Sequence, residues 1–82
     1  MDISIIRKNI LSAVEEYLST PEAWDDAMVA VNPETGKVDL IELEEAEKLP
    51  DDIDEYDIME FIEMTPDGKW VPDREAIGSV EY

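Results

Sequence analysis

The chain has no cysteine and no histidine among its 82 residues. Without cysteine there is no disulfide framework and no thiolate chemistry. Without histidine the commonest general base and the commonest metal ligand are both missing. Positive charge is scarce: 6 Lys and Arg stand against 23 Asp and Glu, for a formal charge of -17. A polyanion of this kind repels the nucleic-acid backbone and anionic lipid, so direct binding to either is not expected. Long apolar runs are absent too, and no stretch approaches the ~20 residues of a membrane span. At the N-terminus, "MDISIIRKNILSAVEEY" carries Asp2 ahead of Arg7 and Lys8, and no small-residue cleavage site follows. That is not the pattern of an export signal, and the expected location is cytoplasmic.

What is present points to a folded chain. Hydrophobic residues make up 44% of the sequence and are spread along it, unlike an acidic disordered tail. The length fits one small domain, residues 1–82, which buries only about 60–65% of its unfolded surface. The acids are concentrated in the middle: 13 of them lie between Asp39 and Asp67, with Lys48 as the one base.

Periodicity predicts an α+β fold. At 100° per residue, Ile3, Ile6, Ile10, Leu11, Ala13, Val14, Tyr17 and Leu18 share one face of a helix over residues 3–19. Asp2 is its expected N-cap. Ile5 falls on the polar face, and Arg7 falls in the middle of the apolar one. Residues 27–43, "AMVAVNPETGKVDLIEL", alternate as a β-hairpin. Asn32, Pro33, Thr35 and Gly36 form its turn, with Gly36 suited to positive φ. Two strands alone are marginally stable, so the helix is expected to pack across the hairpin.

Residues 58–64 read as a short helix, because Ile58, Met59, Phe61 and Ile62 fall within about a 160° arc. Asp57 and Glu60 have capping-box spacing at its start. On this reading Asp51 to Asp57 are an acidic entry loop. Pro66, Asp67 and Gly68 make a turn, Trp70 and Val71 a brief strand, and Asp73 caps a last helix weakened by Gly78. The expected architecture is therefore an N-terminal amphipathic helix packed on a β-hairpin, followed by one or two short helices.

Motifs for chemistry are few. "DDIDEYD" invites comparison with an EF-hand loop. Started at Asp52, it has Asp54 at the third position and Glu63 at the twelfth. Tyr56 then takes a ligand position, and Asp57 stands where the turn glycine belongs. No metal ligand set and no cofactor are expected, beyond weak divalent-cation screening. Ser4, Ser12, Ser19 and Ser79 carry no nucleophile motif, and there is no Gly-rich phosphate loop. "GSV" at Gly78 to Val80 lacks the Asp-Ser-Leu signature of the acyl carrier proteins, and the chain does not resemble that family. Catalysis is not expected.

Binding remains. A field of one sign speeds encounter with an oppositely charged partner. The candidate contact residues are Asp51, Asp52, Asp54, Glu55, Asp57, Glu60 and Glu63, with Trp24 as an aromatic anchor beside Asp25 and Asp26. Trp70 is expected at the core or its edge. The expected partner is a basic protein surface. Alternatives are a DNA mimic that blocks a nucleic-acid-binding protein, and a weak divalent-cation binder. Arg7 is expected to pair with an acid of residues 51–57, since a guanidinium among apolar residues needs a partner.

Overall fold

The computed structural model describes residues 2–20, 22 and 26–81. Helix α1 spans Ile3–Ser19. Its inward stripe is the one that periodicity selects: Ile6, Ile10, Ala13 and Val14 are buried, while Ile3, Leu11, Tyr17 and Leu18 pack against the core from its margins. Asp2 caps it, its carboxylate accepting from the Ser4 N–H at 3.0 Å. Ile5 faces outward, as its position on the polar side requires.

Strands β1 (Ala27–Val31) and β2 (Val38–Glu42) form the antiparallel hairpin, with Val29 opposite Leu40 and Val31 opposite Val38. The Asn32 side chain accepts from the N–H groups of Glu34 and Thr35, which closes the turn. Gly36 completes it at φ 80, a left-handed conformation that favours glycine. The Asn9 side chain donates to the Gly36 carbonyl at 2.8 Å, so a polar residue of α1 fixes the helix against the turn. α1 lies on both strands, as two strands needing a cover would demand.

The chain departs from expectation after Glu42. Leu43 does not extend the hairpin. It opens a one-turn helix, α2 (Leu43–Ala46), packed on β1 and β2. The chain then crosses to the far edge of β1, where Asp54–Asp57 forms β3, antiparallel to β1. The sheet order is β2-β1-β3. Residues 54–57 are thus a strand and not a loop. Tyr56, opposite Val29, turns toward the core and meets Phe61 with ring centroids 5.3 Å apart. That anchor, with the ladder to β1, holds an acid-rich segment in a conformation its composition disfavours.

Residues 58–64 are likewise not one helix. Ile58–Phe61 makes a single 3-10 turn, and Ile62–Met64 continues as strand β4. The capping pair forms as spaced: Asp57 accepts from the Met59 N–H, and Glu60 accepts from the Asp57 N–H, both at 3.0 Å. In a 3-10 turn, residues three apart eclipse, so Ile58 and Phe61 both point inward and are buried. The turn stops there because β4 pairs with β5 (Trp70–Pro72), Ile62 facing Pro72 and Met64 facing Trp70. Gly68, at φ 83, sits in the connecting turn. Helix α3 (Arg74–Gly78) is capped by Asp73 and ends at the weakening glycine. The molecule is α+β, with one helix over a three-stranded sheet and short helices after it.

The core lies between α1, the inner face of β1, the 3-10 turn and α3. Ile6, Ile10, Val14, Val29 and Val31 have almost no solvent exposure. Each fully buried Val or Ile stabilises by about 1.5–3 kcal/mol relative to the exposed side chain.

Arg7 does not meet an acid of residues 51–57. Its Nε and Nη2 donate to the Val80 carbonyl at 3.1 and 2.8 Å. The cause is topological. α1 packs on β1, β2, β5 and α3, whereas β3 lies beyond β1 at the opposite edge from β2. A carbonyl just past a helix end has no intrahelical donor, and Arg7 fills that vacancy.

Candidate functional site

Strand β3 borders a surface trough of about 690 Å³. Asp51, Asp54 and Glu55 contribute from β3 and the turn before it. Glu47 comes from the end of α2, and Glu81 arrives from the C-terminal end of the described chain. Leu49, Pro50, Ile53 and Tyr56 supply the apolar part of the lining. Five carboxylates therefore face one trough, and no Lys or Arg lines it. Two structural facts bring them together. The crossover from β2 to β3 carries Glu47 and Asp51 along its path, and among the described residues β3 is an edge strand of its sheet.

Lys48, the base next to Glu47 in the chain, does not line the trough. Among the described residues the one ion pair is Lys37–Asp39, at 3.8 Å on the opposite edge strand. An exposed pair of this kind contributes little, about 0–1 kcal/mol. The register of the sheet adds to the acidity: Asp39 and Glu55 both lie opposite Ala30, so they share the outer face with Ala30 between them. The Asp2 carboxyl is held below the usual range. Hydrogen bonds from the Ser4 backbone and side chain lower it, and it lies outside this region.

The residues singled out from sequence divide into five groups. Asp51, Asp54 and Glu55 line the trough. Asp52 is exposed in the turn beside it. Asp57 and Glu60 cap the 3-10 turn, so each has a structural task in addition to its charge. Glu63 stands on β4, outside the trough lining. Trp24 lies outside the described residues. Glu47 and Glu81 were not singled out, since Glu47 belongs to the general acidic run and Glu81 to a different part of the chain. Only the fold unites them with β3. Trp70, expected at the core or its edge, is 44% exposed on the short β4–β5 ribbon, where it pairs with Met64.

Among the described residues no three carboxylates converge as metal ligands would. No helix of the described chain is long and apolar enough to cross a membrane. No family model matches the sequence, and neither the curated proteins nor the solved structures include a significant match.

Proposed function

We propose that this chain is a non-catalytic, cytoplasmic protein-interaction module that receives a basic segment of a partner protein in the carboxylate-lined trough beside β3. One observation carries the reading: Glu47, Asp51, Asp54, Glu55 and Glu81 face one trough with no cation among its lining residues. Leaving five like charges together is unfavourable for the isolated fold, and a cationic partner relieves that cost on binding. Arg is the favoured contact, because its planar fork accepts carboxylates two oxygens at a time and is weakly hydrated. The apolar strip of Leu49, Pro50 and Ile53 suits the methylene stems of Lys and Arg.

The reading is tested with a labelled arginine-rich peptide, titrated by fluorescence anisotropy at low and at high salt. The expected result is salt-sensitive binding that weakens by about tenfold or more when Glu47, Asp51, Asp54, Glu55 and Glu81 are changed to their amides. Equal binding by the amide variant would show that the trough is not the site. Nucleic-acid-binding proteins are one class of basic partner, and the DNA-mimic reading is a special case. It requires that duplex DNA compete with this chain for such a partner.

A further inference from the structure

On the surface around the C-terminal end of α1, Tyr17, Leu18, Met59, Ile62, Lys69 and Trp70 line a groove of about 530 Å³. The groove continues, through the shared Tyr17 and Met59, into a depression of about 190 Å³ that holds Asp26, Asp57, Met28 and Leu43. Large apolar side chains exposed singly are normal on any protein. Here they cluster. Five such residues are strongly exposed among those described: Ile5, Leu43, Met59, Met64 and Trp70. Met59 and Trp70 line the groove, Leu43 lines the depression, and Met64 is the cross-strand neighbour of Trp70. Exposed apolar side chains gathered along one groove offer a surface for contact. Methionine adapts its shape to what it meets, and tryptophan is the side chain most often found anchoring interfaces.

Charge selects the occupant. Asp26 and Asp57 are exposed in the depression, no cation lines it, and neither makes an ion pair among the described residues. Lys69 lines the groove but not the depression. An occupant thus meets apolar surface along the groove and two carboxylates where the groove ends. A second copy of this chain fits poorly, since two bodies of charge -17 repel each other. We infer that this surface receives an amphipathic segment of a basic partner, apolar side chains seated against Met59, Ile62 and Trp70, with a Lys or Arg reaching Asp26 and Asp57. The inference rests on the reading that the partner is basic. It adds a second, apolar contact on a surface separate from the trough, and it gives the bound segment a direction.

The experiment uses the full chain and three labelled peptides: a leucine–lysine amphipathic helix, a lysine–glycine peptide of equal charge, and an uncharged leucine–glutamine helix. The leucine–lysine helix is expected to bind about tenfold tighter than either control. Met59→Ala with Trp70→Ala removes that preference and leaves the lysine–glycine affinity unchanged, while Asp26→Asn narrows the gap to the uncharged helix. Amide substitutions in the trough leave the leucine-dependent preference in place. Equal affinity for the two lysine peptides overturns the groove and spares the trough. Failure of both to bind removes the basic-partner reading itself. Tight binding of the uncharged helix, or a concentration-dependent dimer lost in Trp70→Ala, overturns the assigned occupant. Binding that emerges only in Trp24→Ala assigns the groove to this chain's own residues 21–25 and overturns the proposal equally.

Discussion

Two regions handle charge in opposite ways. In the trough beside β3, five carboxylates share a surface with no base. Where α1 meets α3, Arg7, Lys8 and Arg74 line a small hollow with Leu11 and Ile77, and no acid joins them. Half of the chain's 6 bases therefore line one hollow. A molecule that used ion pairs for stability would mix the two signs. Here, among the described residues, only Lys37 and Asp39 pair. The fold is held instead by the apolar layer between α1 and β1, and the charged groups are left to act outward. Arg7 satisfies a backbone carbonyl rather than a carboxylate.

The comparison can be broken at several points. The largest effect is expected where neither charged region contributes. Ile10→Ala, at a position with no exposure, should lower unfolding free energy by about 2–5 kcal/mol in urea titration. If it costs no more than the amide variant of the trough, charge has been given too small a role. Next comes Arg7→Met, which removes both bonds to the Val80 carbonyl. Hydrogen bonds from a charged donor contribute about 1.5–3 kcal/mol, and half-burial of Arg7 puts the expected loss near the lower figure. Protection of the α3 amides from hydrogen exchange should fall in the same variant, while β3 amides keep theirs. Loss at β3 as well would revive a link between Arg7 and the acidic edge.

Salt sharpens the contrast on a smaller scale. Screening shortens from about 10 Å at 0.1 M to about 3 Å at 1 M, so repulsion within the trough should fade as salt rises. The melting temperature should climb by a few degrees toward 0.5 M sodium chloride, on the scale of about 1 kcal/mol for a small domain. The amide variant of the trough should climb less. A flat curve for the native chain would mean the carboxylates do not repel one another appreciably. The smallest effect concerns Asp2. Its pKa is lowered in the fold from 3.8 by the bonds from Ser4. A depressed carboxyl stabilises the fold above its unfolded pKa, and the contribution is lost as pH falls through the folded value. Asp2→Asn keeps a cap but removes the charge, so stability should fall slightly above pH ~5 and approach the native value at lower pH, which flattens the acid limb. An acid limb identical to the native one would remove the cap from the list of acid-sensitive contacts.

How far the sequence could be read depended on where the signal was local. α1, its cap, the hairpin and the Asn32–Gly36 turn follow from periodicity and turn chemistry, and each formed. The capping pair of Asp57 and Glu60 also formed, because three-residue spacing is enough to specify it. What it introduced was missed. A capping pair fixes one turn and says nothing about the next residue, and pairing of Ile62 with Pro72 ended the helix that periodicity favoured. β3 was hidden for a related reason. "DEYD" lacks the β-branched and apolar alternation of a strand, and its strand state depends on an open edge of β1 and on the burial of Tyr56 against Phe61. The acidic trough was legible as a run of charge. Its membership was not, since Glu81 joins it only after the C-terminal segment returns past β3.

The central claim is that the carboxylate-lined trough receives a basic segment, and amide chemical-shift mapping tests it most directly. An arginine-rich peptide is added to the isotope-labelled chain at low salt, and shifts are followed residue by residue. The account predicts saturable shifts at Glu47, Asp51, Ile53, Asp54, Glu55 and Glu81, with Lys8, Arg74 and Gly78 unmoved. Shifts spread evenly over every exposed acid, Glu15, Glu34 and Glu75 included, without saturation, would contradict it and leave only a diffuse polyanion.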